Sequence, residues 1–165
     1  MKKFELTSEF VTFLGKKLFR IKALISFGNV KEGELGGFVE KEENLDQSGN
    51  AWVSGNARVS SNAWVSGDAR VSSNAWVSGD AEVYGDARVS GNADYATVHG
   101  FGSEYRTTTF FRTKAGDIGV RCGCFYGTLE EFRAKVKETH GETKTAKEYL
   151  RVADLMEFRF SKEEV

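Results

Sequence analysis

The sequence predicts a mainly β protein: a β-solenoid flanked by an N-terminal β cap and a C-terminal ββαα unit. Three observations carry this. Eight six-residue units run unbroken from Gly49 to Ala96, apolar residues alternate in short runs over residues 1–42, and capping-box patterns open two amphipathic stretches after residue 127. These give three segments: 1–42 as cap, 43–96 as solenoid, 97–165 as ββαα unit.

In the cap, Phe4 and Leu6, then Phe10, Val11 and Phe13, then Phe19, Ile21 and Ala23 read as short strands, with turns at Gly15 and Gly28-Asn29. The first coil of a solenoid exposes a hydrophobic end and an unpaired edge, which is the reason to place a cap there.

The units read GNAWVS, GNARVS, SNAWVS, GDARVS, SNAWVS, GDAEVY, GDARVS and GNADYA. Ala and Val sit two positions apart, so an extended segment points both inward and sends the Trp, Arg or Glu between them outward. The Gly-Asn, Ser-Asn or Gly-Asp pair that follows is turn chemistry, because Gly and Asn tolerate positive φ and Asn or Asp can bond back to the local backbone. One unit cannot bury its own Ala and Val; stacked coils can.

Behind the array, Thr107 to Lys114 reads as a strand, Ala115-Gly116-Asp117 as a turn and Ile118 to Tyr126 as a second strand. Thr128-Leu129-Glu130-Glu131 places Thr128 at the N-cap of a helix ending at His140-Gly141. Thr145 and Glu148 suggest a second helix from about Thr145, with an apolar stripe of Ala146, Tyr149, Leu150, Ala153 and Met156.

Val53-Ser54-Gly55-Asn56-Ala57-Arg58 and its neighbours resemble the hexapeptide motif of left-handed β-helix proteins, an aliphatic residue followed four positions later by a small one. The resemblance implies a left-handed parallel β-helix with three hexads per triangular coil of eighteen residues, and a homo-oligomer, trimer or dimer. At one strand spacing per coil the array would be about 15 Å tall. Stretched over Gly37 to Ser48, the motif puts Val39 and Leu45 in the small-residue slot and Gln47 in the Val slot. A flat coil of twelve would stack all three tryptophans, but would also set Arg58 directly above Arg70, a like-charge contact.

More narrowly, Gly33-Glu34-Leu35-Gly36-Gly37-Phe38-Val39-Glu40 through Glu43-Asn44-Leu45, with Cys122-Gly123-Cys124-Phe125 and Lys135-Val136-Lys137-Glu138-Thr139-His140-Gly141, is similar to small phage and prophage hexapeptide-repeat, polymer-forming-like proteins. That resemblance implies a genomic setting and no established reaction.

Net charge is −1 overall: +2 over residues 1–42, −4 over 43–96 and +1 over 97–165. An acidic array without a single Lys argues against direct nucleic-acid binding. No apolar run of signal-peptide length precedes Lys16-Lys17, and no stretch is long enough to span a membrane, so the expected setting is a cytoplasm.

Trp52, Trp64 and Trp76 occupy outward positions and, with Arg58 and Arg70, are the candidate partner-binding residues. In a triangular coil Trp52 lies beside Arg70 and then Arg88, Trp76 between Arg58 and Asp94, and Trp64 between Asp46 and Glu82. Trp–Arg neighbours give cation–π contacts of roughly 0.5 to 1 kcal/mol. Arg106, Arg112, Lys114 and Arg121 form the candidate anion-binding cluster, although no P-loop pattern accompanies them. Cys122 and Cys124 suit small core residues better than a zinc site with His99 and His140, so neither metal nor cofactor is expected. In the acyltransferases of the β-helix family a solenoid His serves as general base; His99 lies at the end of the array, outside any intact hexad.

The expected function is therefore non-enzymatic. It is that of an oligomeric, phage-type binding protein acting as a counter-defence inhibitor, by occluding a host protein or sequestering a small nucleotide-like signal. The alternatives are a hexapeptide-type acyltransferase and a structural virion or filament component.

Overall fold

The structure, a computed structural model, describes residues 2–161. It is mainly β. Strands β1 (Phe4–Phe13) and β2 (Lys16–Ala23) form an antiparallel hairpin, and β3 (Leu35–Val39) pairs antiparallel with β2. Seven two-residue strands follow: β4 (Trp52–Val53), β5 (Arg58–Val59), β6 (Trp64–Val65), β7 (Arg70–Val71), β8 (Trp76–Val77), β9 (Glu82–Val83) and β10 (Arg88–Val89).

These strands pair in parallel as three ladders, β4–β7–β10, β3–β5–β8 and β6–β9. Rungs join residues eighteen positions apart: Trp52 to Arg70 to Arg88, Arg58 to Trp76, and Trp64 to Glu82. The pairing excludes the flat coil of twelve, and each tryptophan stands on a different ladder. The Ala and Val residues of the first seven hexads fill the interior and are at most 1% exposed, whereas Ala93 of the eighth is exposed. Turn residues carry the strain of the corners. Ser61 and Ser73 stand at φ of 58° and 57°, where their neighbours in the repeat are glycines; such a left-handed residue costs about 1 kcal/mol or more, which the stacked coils hold in place.

The first coil corrects the expected register. Val39 pairs with Val59 and Leu45 with Val65, twenty positions apart, so both take the Val slot and not the small one. Gly37 fills the small slot because an added Cβ would lie 2.6 Å from the Ala57 carbonyl oxygen. The two extra residues fall at Gln47-Ser48: Asp46 still bonds to Val65 and Asn50 to Gly67. Gln47, expected to point inward, instead holds the N-terminal strand. Its side-chain oxygen accepts from the backbone N–H groups of Lys3 and Phe4 at 2.7 and 3.2 Å.

The N-terminal hairpin does two jobs. Its open end plugs the array with Phe4, Ile21 and Ala23, all at most 1% exposed. Its far end folds back over the β3–β5–β8 ladder, where Lys16 reaches Ser61 at 2.7 Å and Glu40 at 3.4 Å.

At the other end, β11 (Tyr95–Val98), β12 (Thr108–Arg112), β13 (Ile118–Cys122) and β14 (Phe125–Thr128) make a four-stranded antiparallel sheet, followed by α1 (Leu129–His140) and α2 (Lys144–Phe160). The expected ββαα unit thus has four strands. The last hexad, GNADYA, leads into β11 because it lacks the Val that fills a coil. The expected strand from Ile118 to Tyr126 is broken at Gly123, whose φ of 59° makes a hairpin turn. Thr128 caps α1 as a reciprocal box with Glu131. α2 begins one residue before the expected Thr145, because Thr143 is the N-cap and accepts from the Ala146 N–H at 3.2 Å.

Strand β12 is sandwiched, and its alternation shows how. Phe111 enters the interior of the array, while Phe110 faces the helices and meets Phe132 edge-on at 6.2 Å. The sheet also satisfies the last coil's backbone: Thr109 Oγ1 accepts from Glu82 N–H at 2.9 Å, Lys114 N–H donates to Asp86 O at 2.8 Å, and Ala87 bridges Thr113. Among the described residues no helix is long and apolar enough to cross a membrane.

Candidate interaction face

Two of the three tryptophans are covered by the chain's own N-terminal region. Trp52 is 2% exposed, with Phe27 and Phe4 edge-on to it at 5.4 and 6.5 Å. Gly36 admits this packing, since an added Cβ would lie 2.7 Å from the indole. The expected outward position is therefore an internal one, and Trp52 is not a surface anchor. Its rung neighbour Arg70 lies against the Gly28 turn, and burial together with Arg88 holds its pKa below the usual arginine value. Beside them the Lys3 ammonium donates to the Ala51 carbonyl at 2.8 Å and to those of Ser48 and Gly49 at 3.4 Å. Burial pushes its pKa down to about 8.

Trp76 and Arg58 are covered by the folded-back hairpin. Phe13 meets Trp76 edge-on at 4.9 Å and stands 4.0 Å beneath the Arg58 guanidinium. Trp76 Nε1 donates to Ser60 Oγ at 3.0 Å. The cation–π partner of Arg58 is thus a hairpin Phe and not the rung Trp.

The β6–β9 ladder is different. Among the described residues no ring from the N-terminal region packs on Trp64, which is half-buried; its ring neighbour is Tyr84, stacked at 6.5 Å. Tyr84 in turn meets the exposed Tyr126 edge-on at 5.0 Å, and Tyr126 OH accepts from Asp86 N–H at 3.2 Å. The result is a row: Trp64, Tyr84, Tyr126. On its rungs Trp64 has Glu82 on one side. On the other side stands Asn44 rather than the expected Asp46, because of the twenty-residue first coil. The array's three arginines all stand on the other two ladders, whereas Asp68, Asp80 and Asp86 occupy the turns flanking this one.

The four predicted anion-binding cations do not form one cluster. Arg112 is paired with Asp94 at 3.0 Å and lies over Phe160. Arg121 is paired with Glu82 at 3.2 Å and lies 4.4 Å over Tyr84. Lys114 is at the exposed β12–β13 turn. Two of them border cavities, and different ones: Arg112 lines a cavity of about 440 Å³ with Asp117, Glu130 and Glu157, and Arg106 a crevice of about 370 Å³ that it shares with Asp80, Glu82, His99, Thr107 and Gly123. Across that crevice His99 Nδ1 stands 2.8 Å from Thr107 Oγ1. Carboxylates from the array line the same space, so strand pairing has dispersed the positive charge that sequence proximity suggested.

Cys122 is half-buried and accepts from the Thr108 hydroxyl at 3.2 Å. Cys124, expected in the core, is exposed, because it sits in the hairpin turn that replaces the expected continuous strand. His140 stacks on Tyr149 at 5.4 Å. Among the described residues no three His, Cys, Asp or Glu side chains gather as a metal site.

Sequence reasoning missed Tyr84 and Tyr126. A signal for Tyr84 exists: GDAEVY is the unit in which Tyr replaces the closing Ser and Glu replaces the outward Trp or Arg, and both departures fall on this face. No known protein family and no curated protein sequence matches the chain.

Proposed function

We propose that the protein works by binding rather than by catalysis, presenting the Trp64–Tyr84–Tyr126 row to a partner protein whose surface it occludes. One observation carries this: of three outward tryptophans, Trp52 and Trp76 pack against rings of the N-terminal region, whereas Trp64, half-buried on the acidic ladder, has Tyr84 of its own face as its ring partner. Aromatic side chains dominate interface energetics, and a half-buried, stacked ring is already held in place for contact. We take the array to be a left-handed β-helix; the eighteen-residue rungs, which match the coil that the hexapeptide resemblance implies, support that reading. The resemblance to phage hexapeptide-repeat proteins supports a host protein as the target, and the homo-oligomer it implies belongs to the same proposal.

The test is native intact-complex mass of wild-type and Trp64→Ser protein isolated from host lysate. A stoichiometric protein that accompanies the wild type and is lost with Trp64→Ser is the expected result. Retention of that protein by the variant overturns the assignment of the face. A second reading, sequestration of a small nucleotide-like anion, is favoured by the crevice around Arg106. It predicts a small anion released on denaturation and lost with Arg106→Gln.

A further inference from the structure

Arg121 shows within this chain how the face receives a cation. Its guanidinium lies 4.4 Å over the Tyr84 ring while its Nε donates to Glu82 Oε2 at 3.2 Å. A planar guanidinium can do both at once, stacking through its face and donating through its edge, whereas an ammonium has no flat face to stack. The same ingredients recur one ring further along. Trp64 is stacked with Tyr84, stands beside Glu82 on its rung, and among the described residues has no cation over it. One Glu82 oxygen is committed to Arg121; Asp80, in the turn entering this ladder, accepts from Asn62 Nδ2 at 3.3 Å through one oxygen. Each carboxylate thus keeps an oxygen that accepts no hydrogen bond among the described residues.

Charge supports the same occupant. Residues 43–96 hold seven acidic residues against three arginines, and those three stand on the other ladders. On this ladder Asp68, Asp80, Glu82 and Asp86 outnumber the two cations brought to it, Arg121 and Arg106, so a cationic side chain meets aromatic surface and an excess of carboxylate together.

We infer that the partner protein anchors on Trp64 through an arginine, seated against the indole and hydrogen-bonded to the carboxylates of Glu82 and Asp80. This rests on the binding function proposed above and names the chemistry of the partner at that face. Trp64 supplies the stacking surface, Glu82 and Asp80 the acceptors, and Tyr84 with Arg121 fixes the rotamer of the row. The partner segment carries its arginine at an exposed position, where the guanidinium loses little hydration on stacking.

The experiment follows the three indole N–H resonances of the ¹⁵N-labelled full chain during titration with the peptide acetyl-Gly-Arg-Gly-amide. The same peptide with Lys, and with citrulline, a neutral shape-match for arginine, serves for comparison. Trp52 and Trp76 are internal controls for the integrity of the fold, and Trp64→Leu assigns the third signal. The expected result is a saturable shift at Trp64 with the Arg peptide at millimolar concentration, at least about tenfold weaker with Lys and absent with citrulline. Asp80→Asn weakens it while leaving the Trp52 and Trp76 signals in place. Equal response to Lys, any comparable response to citrulline, or no movement at Trp64 overturns the arginine anchor. If the peptides fail while Trp64→Ser still strips the partner from the native complex, the face stands and only the anchor falls. If the partner stays on Trp64→Ser, the binding reading falls and the anchor with it.

Discussion

The side-chain oxygen of Gln47 stands 2.7 Å from the backbone nitrogen of Lys3, joining the two-residue insertion of the first coil to the start of the chain. The irregularity of that coil is therefore a socket. Gln47 Nε2 also donates to Glu42 Oε1 at 3.0 Å, which fixes the amide orientation that the strand needs.

Gln47→Ala should lower stability by about 1 to 3 kcal/mol, because it strips the acceptor from two N–H groups beside a buried strand. Urea unfolding measures the loss, and amide exchange should quicken at Lys3 and Phe4 before the array is affected. Unchanged protection there would show that the socket does not hold the strand.

Lys3 gives stability a defined pH dependence. Its pKa falls from 10.5 to about 8 on folding, burial being the main cause. Between those values the unfolded chain binds the additional proton, so this contribution improves as pH rises through the window and is constant below it. Comparing urea midpoints of wild type and Lys3→Met at pH 7, 8, 9 and 10 isolates the group. The wild type should gain on the variant by on the order of 1 to 3 kcal/mol across that range. A flat difference would mean that the ammonium is not desolvated.

Phe13→Ala should unfasten the far end of the hairpin. The expected cost is about 1 to 2 kcal/mol, with a red shift of tryptophan emission as Trp76 becomes exposed. Repeating the measurement with Trp76→Phe should remove the shift; a shift that persists would place its origin at another indole.

His99 provides the check against catalysis. Wild-type protein supplied with acetyl-coenzyme A and amine or hydroxyl acceptors should release no thiol above the uncatalysed rate. Turnover that disappears in His99→Ala would replace the binding function with acyl transfer.

What the sequence made legible follows from locality. The corners, the inward Ala and Val and the Thr128 cap depend on residues within one unit or one helical turn, and through the seventh unit they stand where the spacing puts them, Ala93 of the eighth being exposed. The eighteen-residue period came from the hexapeptide resemblance, and the like-charge contact of Arg58 with Arg70 served only against a coil of twelve. Arg70 and Arg88 nevertheless share a rung, so this chain does not keep like charges apart everywhere. Illegible were the contacts across long sequence separations. Nothing local pairs Phe27 with Trp52 or Phe13 with Trp76, and so the covered tryptophans looked exposed. The cations of β12 and β13 looked clustered for the same reason, because their partners Asp94 and Glu82 belong to the array.

Phe111, inserted into the interior of the last coil from β12, has a consequence for growth. Parallel coils are in principle open-ended, and a second molecule could continue the ladders where the first one stops. Here the continuation is blocked sterically by an aromatic stopper and chemically by Thr109, Thr113 and Lys114, which use the backbone groups that a next coil would need. End-to-end filaments would first have to expel β12, so the array has a set length.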